Sequence, residues 1–149
     1  MLAASGKLDL TTGGPAAGKS DVTPRRSIYV RVLREDIDDC FDIFDGADSN
    51  LVVGNRASSN LATQALFLLN SPFVVEQSKL AAEKILAQHL PDDTARIESA
   101  YLIILGRHPR SAELEMGKRF LNDGNQPAKQ TWQSYCQALF ACVDFRYLN

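Results

Sequence analysis

The sequence predicts a mainly α fold, with about five helices packed as an irregular antiparallel bundle and a short N-terminal β element. Three observations carry this. From residue 58 onward, apolar side chains recur at helical spacing in five successive stretches, each bounded by capping or stop residues. The segments joining them are short, which favours antiparallel neighbours around one core. Strict alternation of apolar positions occurs at "SIYVRVL", residues 27–33, which suits a short strand.

Residues 1–26 hold Gly6, Gly13, Gly14, Pro15, Gly18 and Pro24 and show no apolar periodicity beyond "KLDL", so they read as a loop-rich approach segment. Residues 27–149 read as a single helical domain, with 92–149 as a candidate subdomain. After the strand comes an acidic stretch with room for one short helix. The first long helix, "NLATQALFLLN", is capped by Ser58 or Ser59 and buries Leu61, Ala65, Leu68 and Leu69. Ser71 caps the second, with Pro72 at its first position, where a missing N–H does no harm. Val74, Val75, Ala81, Ala82, Ile85 and Leu86 form its apolar face; Glu76, Gln77, Lys79, Glu83 and Lys84 form the polar one.

The third helix starts at Asp92 or Asp93, stops at Gly106 and buries Ile97, Ala100, Tyr101, Ile104 and Leu105. The fourth runs from Ser111 to Gly124, with Leu114, Phe120 and Leu121 inward. The last, within 128–145, has the strongest period: Trp132, Tyr135, Cys136, Leu139, Phe140 and Val143.

Bulk properties exclude several classes of function. A chain of 149 residues, 45% hydrophobic and 23% charged, has the composition of one folded globular domain. Its net charge of −2 provides no general attraction to nucleic acid. No apolar run approaches the ~20 residues needed to cross a bilayer, and "MLAASGKLDL" lacks the pattern of a signal peptide. Cys40, Cys136 and Cys142 form neither a CxxC pair nor the CxxCH of an attached haem, and read as buried free thiols. His89 and His108 have no companion that would make a zinc cluster.

"GGPAAGKS", residues 13–20, matches the phosphate-loop pattern. Such a loop needs a strand before it and a helix beginning at its Gly-Lys-Ser. Here Pro24 pushes Thr23 out of helical geometry, so no nucleotide partner is expected. The acidic stretch holds Asp36, Asp38, Asp39, Asp42, Asp45 and Asp48. Ile43 and Val52 stand where a helix-loop-helix calcium loop needs oxygen ligands, which excludes that loop and leaves an irregular calcium site open. The competing reading is a solvated acidic face, or partners for Arg25, Arg26, Arg31 and Arg34. No Ser-His-Asp or Cys-His arrangement is legible, so no catalytic, cofactor-binding or metal-ligating residue is assigned.

From "RRSIYVRVLR" through "FDGADSNLVVGNRASSNLATQALFLLNSPFVVEQ" to "YLIILGRHPRSAELE" and "YCQALFACVDFRYLN", the chain resembles the C-terminal domain of unknown function that accompanies c-type cytochrome domains in planctomycete proteins. Its most specific piece is "TQALFLLNSPFV"; at "SSNLATQAL" it departs from a Thr-rich, proline-containing stretch typical of that family. Gly13, Gly14, Pro15, Arg25, Arg26, Tyr29 and Phe44 are among the matching residues, which makes "GGP" a family turn rather than a phosphate loop. Residues 96–149 are also similar to a helical repeat of secreted bacterial proteins with a Leu-Gly-Arg-x-Pro turn.

The resemblance implies a piece of a larger extracytoplasmic protein, periplasmic or at the cell surface, with c-type haem held by a different domain. It implies upstream domains of the same polypeptide, or another protein, as partners, and it singles out Asp45, Asp48, Arg56, Gln64, Asn70 and Arg107 as candidate polar residues. A structural or interaction module is the favoured reading. The rival is part of an enzyme of polysaccharide-linked or redox metabolism, in which Arg56, Gln64, Asn70 and Arg107 contribute to a site completed by upstream domains. Burial of these side chains in turn and cap bonds favours the module; a polar pocket around them favours the enzyme. Asn70 is expected to hold a turn in left-handed geometry, and Arg107 to cap free helix carbonyls.

Overall fold

A computed structural model of the chain describes residues 1–19, 23–33, 38–46, 62–123 and 127–146. In chain order its helices are α1 (Leu2–Ser5), a 3-10 turn (Ser27–Tyr29), α2 (Asp39–Ile43), α3 (Ala62–Asn70), α4 (Pro72–Leu86), α5 (Asp93–Leu105), α6 (Ser111–Asn122), α7 (Ala128–Ala141) and α8 (Val143–Arg146). The protein is mainly helical. Its contacts divide it into two compact units: Met1–Gly6 with Leu68–Asn149, and Lys7–Phe67. The position between residues 26 and 27 lies inside the second of these.

The first unit is helical. Pro72 opens α4, and Ser71 precedes it in extended geometry without a side-chain cap bond. Asp92 caps α5, its Oδ1 accepting from the Ala95 N–H at 2.8 Å, and Gly106 ends the helix in the left-handed region at φ 70°. Glu113 closes the start of α6 by accepting from the Arg110 N–H at 2.7 Å. α4 packs most extensively on α7, which also meets α5 and α6. Val74, Ala81, Ala82 and Ile85 of α4, Ile97 and Ala100 of α5, and Cys136 and Phe140 of α7 form the sealed interior. Ala81 and Ala82 are too small to hold another helix away, which suits close packing of α4.

Several expected faces shift. Gln77, assigned to the polar side of α4, is buried and accepts from the Ser5 hydroxyl at 2.6 Å. Lys84 donates to the Ala4 carbonyl at 3.1 Å, so polar bonds help seat α1 on α4. On α3 the buried positions are Gln64 and Leu68, while Ala65 and Leu69 are exposed; Leu61 lies outside the described residues. Gln64 and Leu68 are four apart and so share a ridge, and a buried amide is tolerated there because it is hydrogen-bonded.

On α6 the buried residue is Gly117, with Phe120 exposed and Leu114 and Leu121 half-buried. A Cβ at 117 would lie 2.6 Å from Tyr135 Oη and 3.2 Å from Ile97 Cδ1, so α6 approaches through a glycine. The last helix breaks earlier than expected. Cys142 is extended at φ −72° and ψ 159°, which separates α8 from α7 and leaves Val143 exposed.

The unit Lys7–Phe67 lacks the expected β element. No strand occurs among the described residues; Ser27–Tyr29 is a 3-10 turn, and Val30 makes an isolated bridge with Ala17. Among the described residues the alternation at 27–33 has no paired strand to bury a face against. Ile28 is 78% exposed, Val32 is exposed and only Val30 is buried. In α2 the Asp38 carboxylate accepts from the Cys40 N–H at 3.1 Å, and Phe44 meets Phe67 edge-on at 5.7 Å. Among the described residues no helix is long and apolar enough to cross a membrane.

Candidate functional site

The most developed polar centre lies where α5 turns into α6. Gly106 ends α5, which delivers Arg107 directly into the turn. Its guanidinium has five N–H donors in a planar fork, and all five find acceptors. Nε donates to Asp144 Oδ2 at 2.9 Å, and Nη1 to the His108 carbonyl at 3.0 Å and Glu113 Oε2 at 2.8 Å. Nη2 donates to Glu113 Oε1 at 2.7 Å and again to Asp144 Oδ2. The group also lies over the Tyr101 ring, 5.3 Å from its centroid.

Carboxylates are therefore the main acceptors; the expected cap on free helix carbonyls is not formed, because the one carbonyl engaged, that of His108, lies in the turn beyond Gly106. The geometry favours this because Glu113 is the third residue of α6, already turned toward the same end by its bond to Arg110. The Arg107 hydrogen bonds hold the Glu113 carboxyl down to about 2, against the opposing effect of its own burial. Glu113, and then Asp144, raise the guanidinium further above its ordinary value. Burial, and after it the Glu113 charge, push the Tyr101 phenol upward.

A second arginine organises the loop of the other unit. Arg25 donates to the carbonyls of Thr11 at 3.0 Å, Gly13 at 2.6 Å and Pro15 at 3.2 Å, and stacks on the Tyr29 ring at 3.9 Å. The Gly13 N–H donates to Tyr29 Oη at 3.0 Å. Gly13 and Gly14 both have positive φ, at 77° and 84°. The phosphate-loop-like stretch is thus a turn wrapped around an arginine, with Gly13 bonded through both its N–H and its carbonyl. Arg25 meets backbone here, not the acidic stretch.

The remaining candidates are distributed. Gln64 is 2% exposed, and its amide donates to the Ile43 carbonyl at 3.1 Å, two residues before Asp45. Asp45 itself sits in the left-handed region at φ 54°. Asn70 is the exposed last residue of α3 and does not have the left-handed backbone expected of it. Asp48 and Arg56 lie outside the described residues, as does Asp36 of the acidic stretch. Among the described residues no three His, Cys, Asp or Glu side chains converge as metal ligands.

His89 and His108 are exposed. All three cysteines are free thiols. Burial pushes the Cys136 thiol up to about 12, which leaves it unreactive, while Cys40 and Cys142 are half-buried rather than buried.

Residues 1–121 match the family PSD1, described as a protein of unknown function (DUF1553). The chain belongs to this family. No curated protein and no solved structure matches it. In this PSD1-family chain the match takes in the Arg25 turn, Gln64, Arg107 and Glu113, while Asp144 lies beyond it.

Sequence reasoning singled out Arg107 and missed Glu113, Asp144 and Tyr101. Glu113 could have been found, since a glutamate at the third helical position is a capping signal. Nothing local marks Asp144, which is 37 residues away.

Proposed function

We propose that this chain is a noncatalytic structural or interaction module at the C-terminal end of a larger exported protein. The observation that carries this reading is the use of its candidate polar side chains within the chain itself. Arg107 directs five N–H donors to acceptors at its own helix junction, and the Gln64 amide is bonded to the Ile43 carbonyl. An arginine that bound a substrate anion would keep part of its fork turned to solvent. In this reading the five longer helices form an irregular antiparallel bundle, the partners are upstream domains of the same polypeptide, and the location is extracytoplasmic. In the same reading, supported by the resemblance to planctomycete cytochrome-associated domains, any haem belongs to another domain of the parent.

Thermal melts of wild type and Arg107→Ala, with and without sulfate, test the proposal. The variant loses about 1–3 kcal/mol, the scale of charge-assisted hydrogen bonds discounted for a guanidinium side chain that is 30% exposed. Sulfate stabilises both proteins equally. Anion-dependent stabilisation present in wild type and absent in the variant would instead support the enzymatic reading, with Arg107 as an anion ligand.

A further inference from the structure

Arg107 holds its two carboxylates unequally. Glu113 offers both oxygens, also accepts from the Arg110 N–H and belongs to the adjoining turn only six residues away. Asp144 is engaged through one oxygen, Oδ2, and its side chain is 39% exposed. It belongs to α8, a four-residue helix cut off from α7 by the extended Cys142. A helix of one turn cannot sustain itself, so its order comes from what it docks on. The docking includes the Arg107–Asp144 pair, the Phe145 ring set edge-on against Phe140 at 5.1 Å, and packing on α5 and α7. Phe140 and Cys136 are sealed within α7, whereas Cys142 stands half-buried at the junction.

We infer that α8 is a releasable strap, latched by Asp144 to Arg107 and seated by Phe145 on Phe140, that undocks while the rest of the helical unit stays folded. Arg107 keeps its bidentate pair with Glu113 when the strap leaves, so release does not strand an unpaired guanidinium. That lowers the cost of opening relative to breaking the whole cluster. Opening turns about Cys142 and uncovers the side of Phe140 that Phe145 covers.

Peptide-resolved iodoacetamide labelling of the three cysteines tests this on the full chain. In wild type Cys142 is modified well before Cys136. Asp144→Asn and Asp144→Ala speed labelling of Cys142 by about tenfold or more, the ratio that even one of the two weakened charge-assisted hydrogen bonds would give. Cys136 labelling and the thermal transition stay as in wild type. Sodium chloride at about 1 M moves wild type in the same direction by screening the pair. The inference is overturned if neither variant nor salt changes Cys142. It is also overturned if Cys136 accelerates together with Cys142 and the melting temperature falls, because α8 would then be an integral part of the core.

Discussion

In the unit Lys7–Phe67, Arg25 lies over Tyr29 and donates to the carbonyls of Thr11, Gly13 and Pro15. In the helical unit, Arg107 lies over Tyr101 and donates mainly to the carboxylates of Glu113 and Asp144. The same side-chain chemistry serves two kinds of order. Around Arg25 there is no long helix to satisfy the backbone, so the guanidinium takes over that task for a glycine-rich turn. Around Arg107 the helices already satisfy their own backbone, and the guanidinium joins elements through charge. Carbonyl acceptors do not titrate in the range where proteins fold, and carboxylates do. The two arrangements should therefore respond differently to truncation, crowding and acid.

The largest effect is expected where neither arginine acts. Phe140→Ala in the sealed core of α7 should cost about 3–5 kcal/mol in urea unfolding followed by the single tryptophan, Trp132. A loss near zero would mean that the helical unit owes its stability to the polar junction instead. Gly117→Ala comes next, at roughly 1–3 kcal/mol, because the added methyl would meet Tyr135 Oη at 2.6 Å. Tyr135 cannot swing away easily, since Trp132 stands edge-on to it at 5.6 Å and Phe120 lies at 6.0 Å. An alanine variant as stable as wild type would show that α6 does not depend on the glycine for its approach.

Acid separates the two arginines directly. The Glu113 carboxyl is held at about 2 against an ordinary 4.5. Its stabilising contribution is therefore complete above about 4.5 and is lost as the pH falls through about 2. The difference in melting temperature between wild type and Arg107→Ala should narrow across that window, read from Trp132 fluorescence. A difference that stays constant would detach the role of Arg107 from Glu113. The Arg25 turn has its own acid-sensitive carboxylate in Asp9, lowered by hydrogen bonding to Thr11, so the probe must sit in the helical unit.

Smaller still is the effect of Arg25→Lys, which should speed amide exchange over residues 11–17 nearly as much as Arg25→Ala. A point charge cannot reach three carbonyls at once. Full protection in the lysine variant would mean that charge, and not the planar fork, shapes the turn. The smallest expected effect is none: calorimetric titration with Mg-ATP should give no binding heat, because Gly13 already donates to Tyr29 and Pro24 interrupts a following helix. Micromolar binding that disappears in Lys19→Ala would restore the phosphate-loop reading.

Most of the helical unit was legible because period and capping are local. Asp92 and Gly106 bound α5 as their chemistry requires, and Trp132, Tyr135, Cys136, Leu139 and Phe140 are buried at the spacing that marks them. The misreadings share a cause. Ile28, Val30 and Val32 alternate like a strand, yet alternation stabilises a strand only when a neighbour pairs with it, and pairing is not a property of seven residues. Gln77 looks like a surface residue and is buried, because the Ser5 hydroxyl comes from a distant part of the chain to satisfy it.

Local sequence, then, settles where α4, α5, α6 and α7 begin, which stripe of α5 and α7 is apolar, and that Arg107 leaves a helix at a glycine; the expected caps of α3, Ser58 and Ser59, lie outside the described residues. Tertiary structure alone decides what meets Arg107. Glu113 is close in sequence and could be inferred from helix-start chemistry. Asp144 arrives only because Cys142 breaks the last helix and turns α8 back toward α5. The physical reason is one of range. Backbone propensity and capping act over three or four residues, whereas an ion pair 37 residues apart forms only after packing has positioned both of its ends.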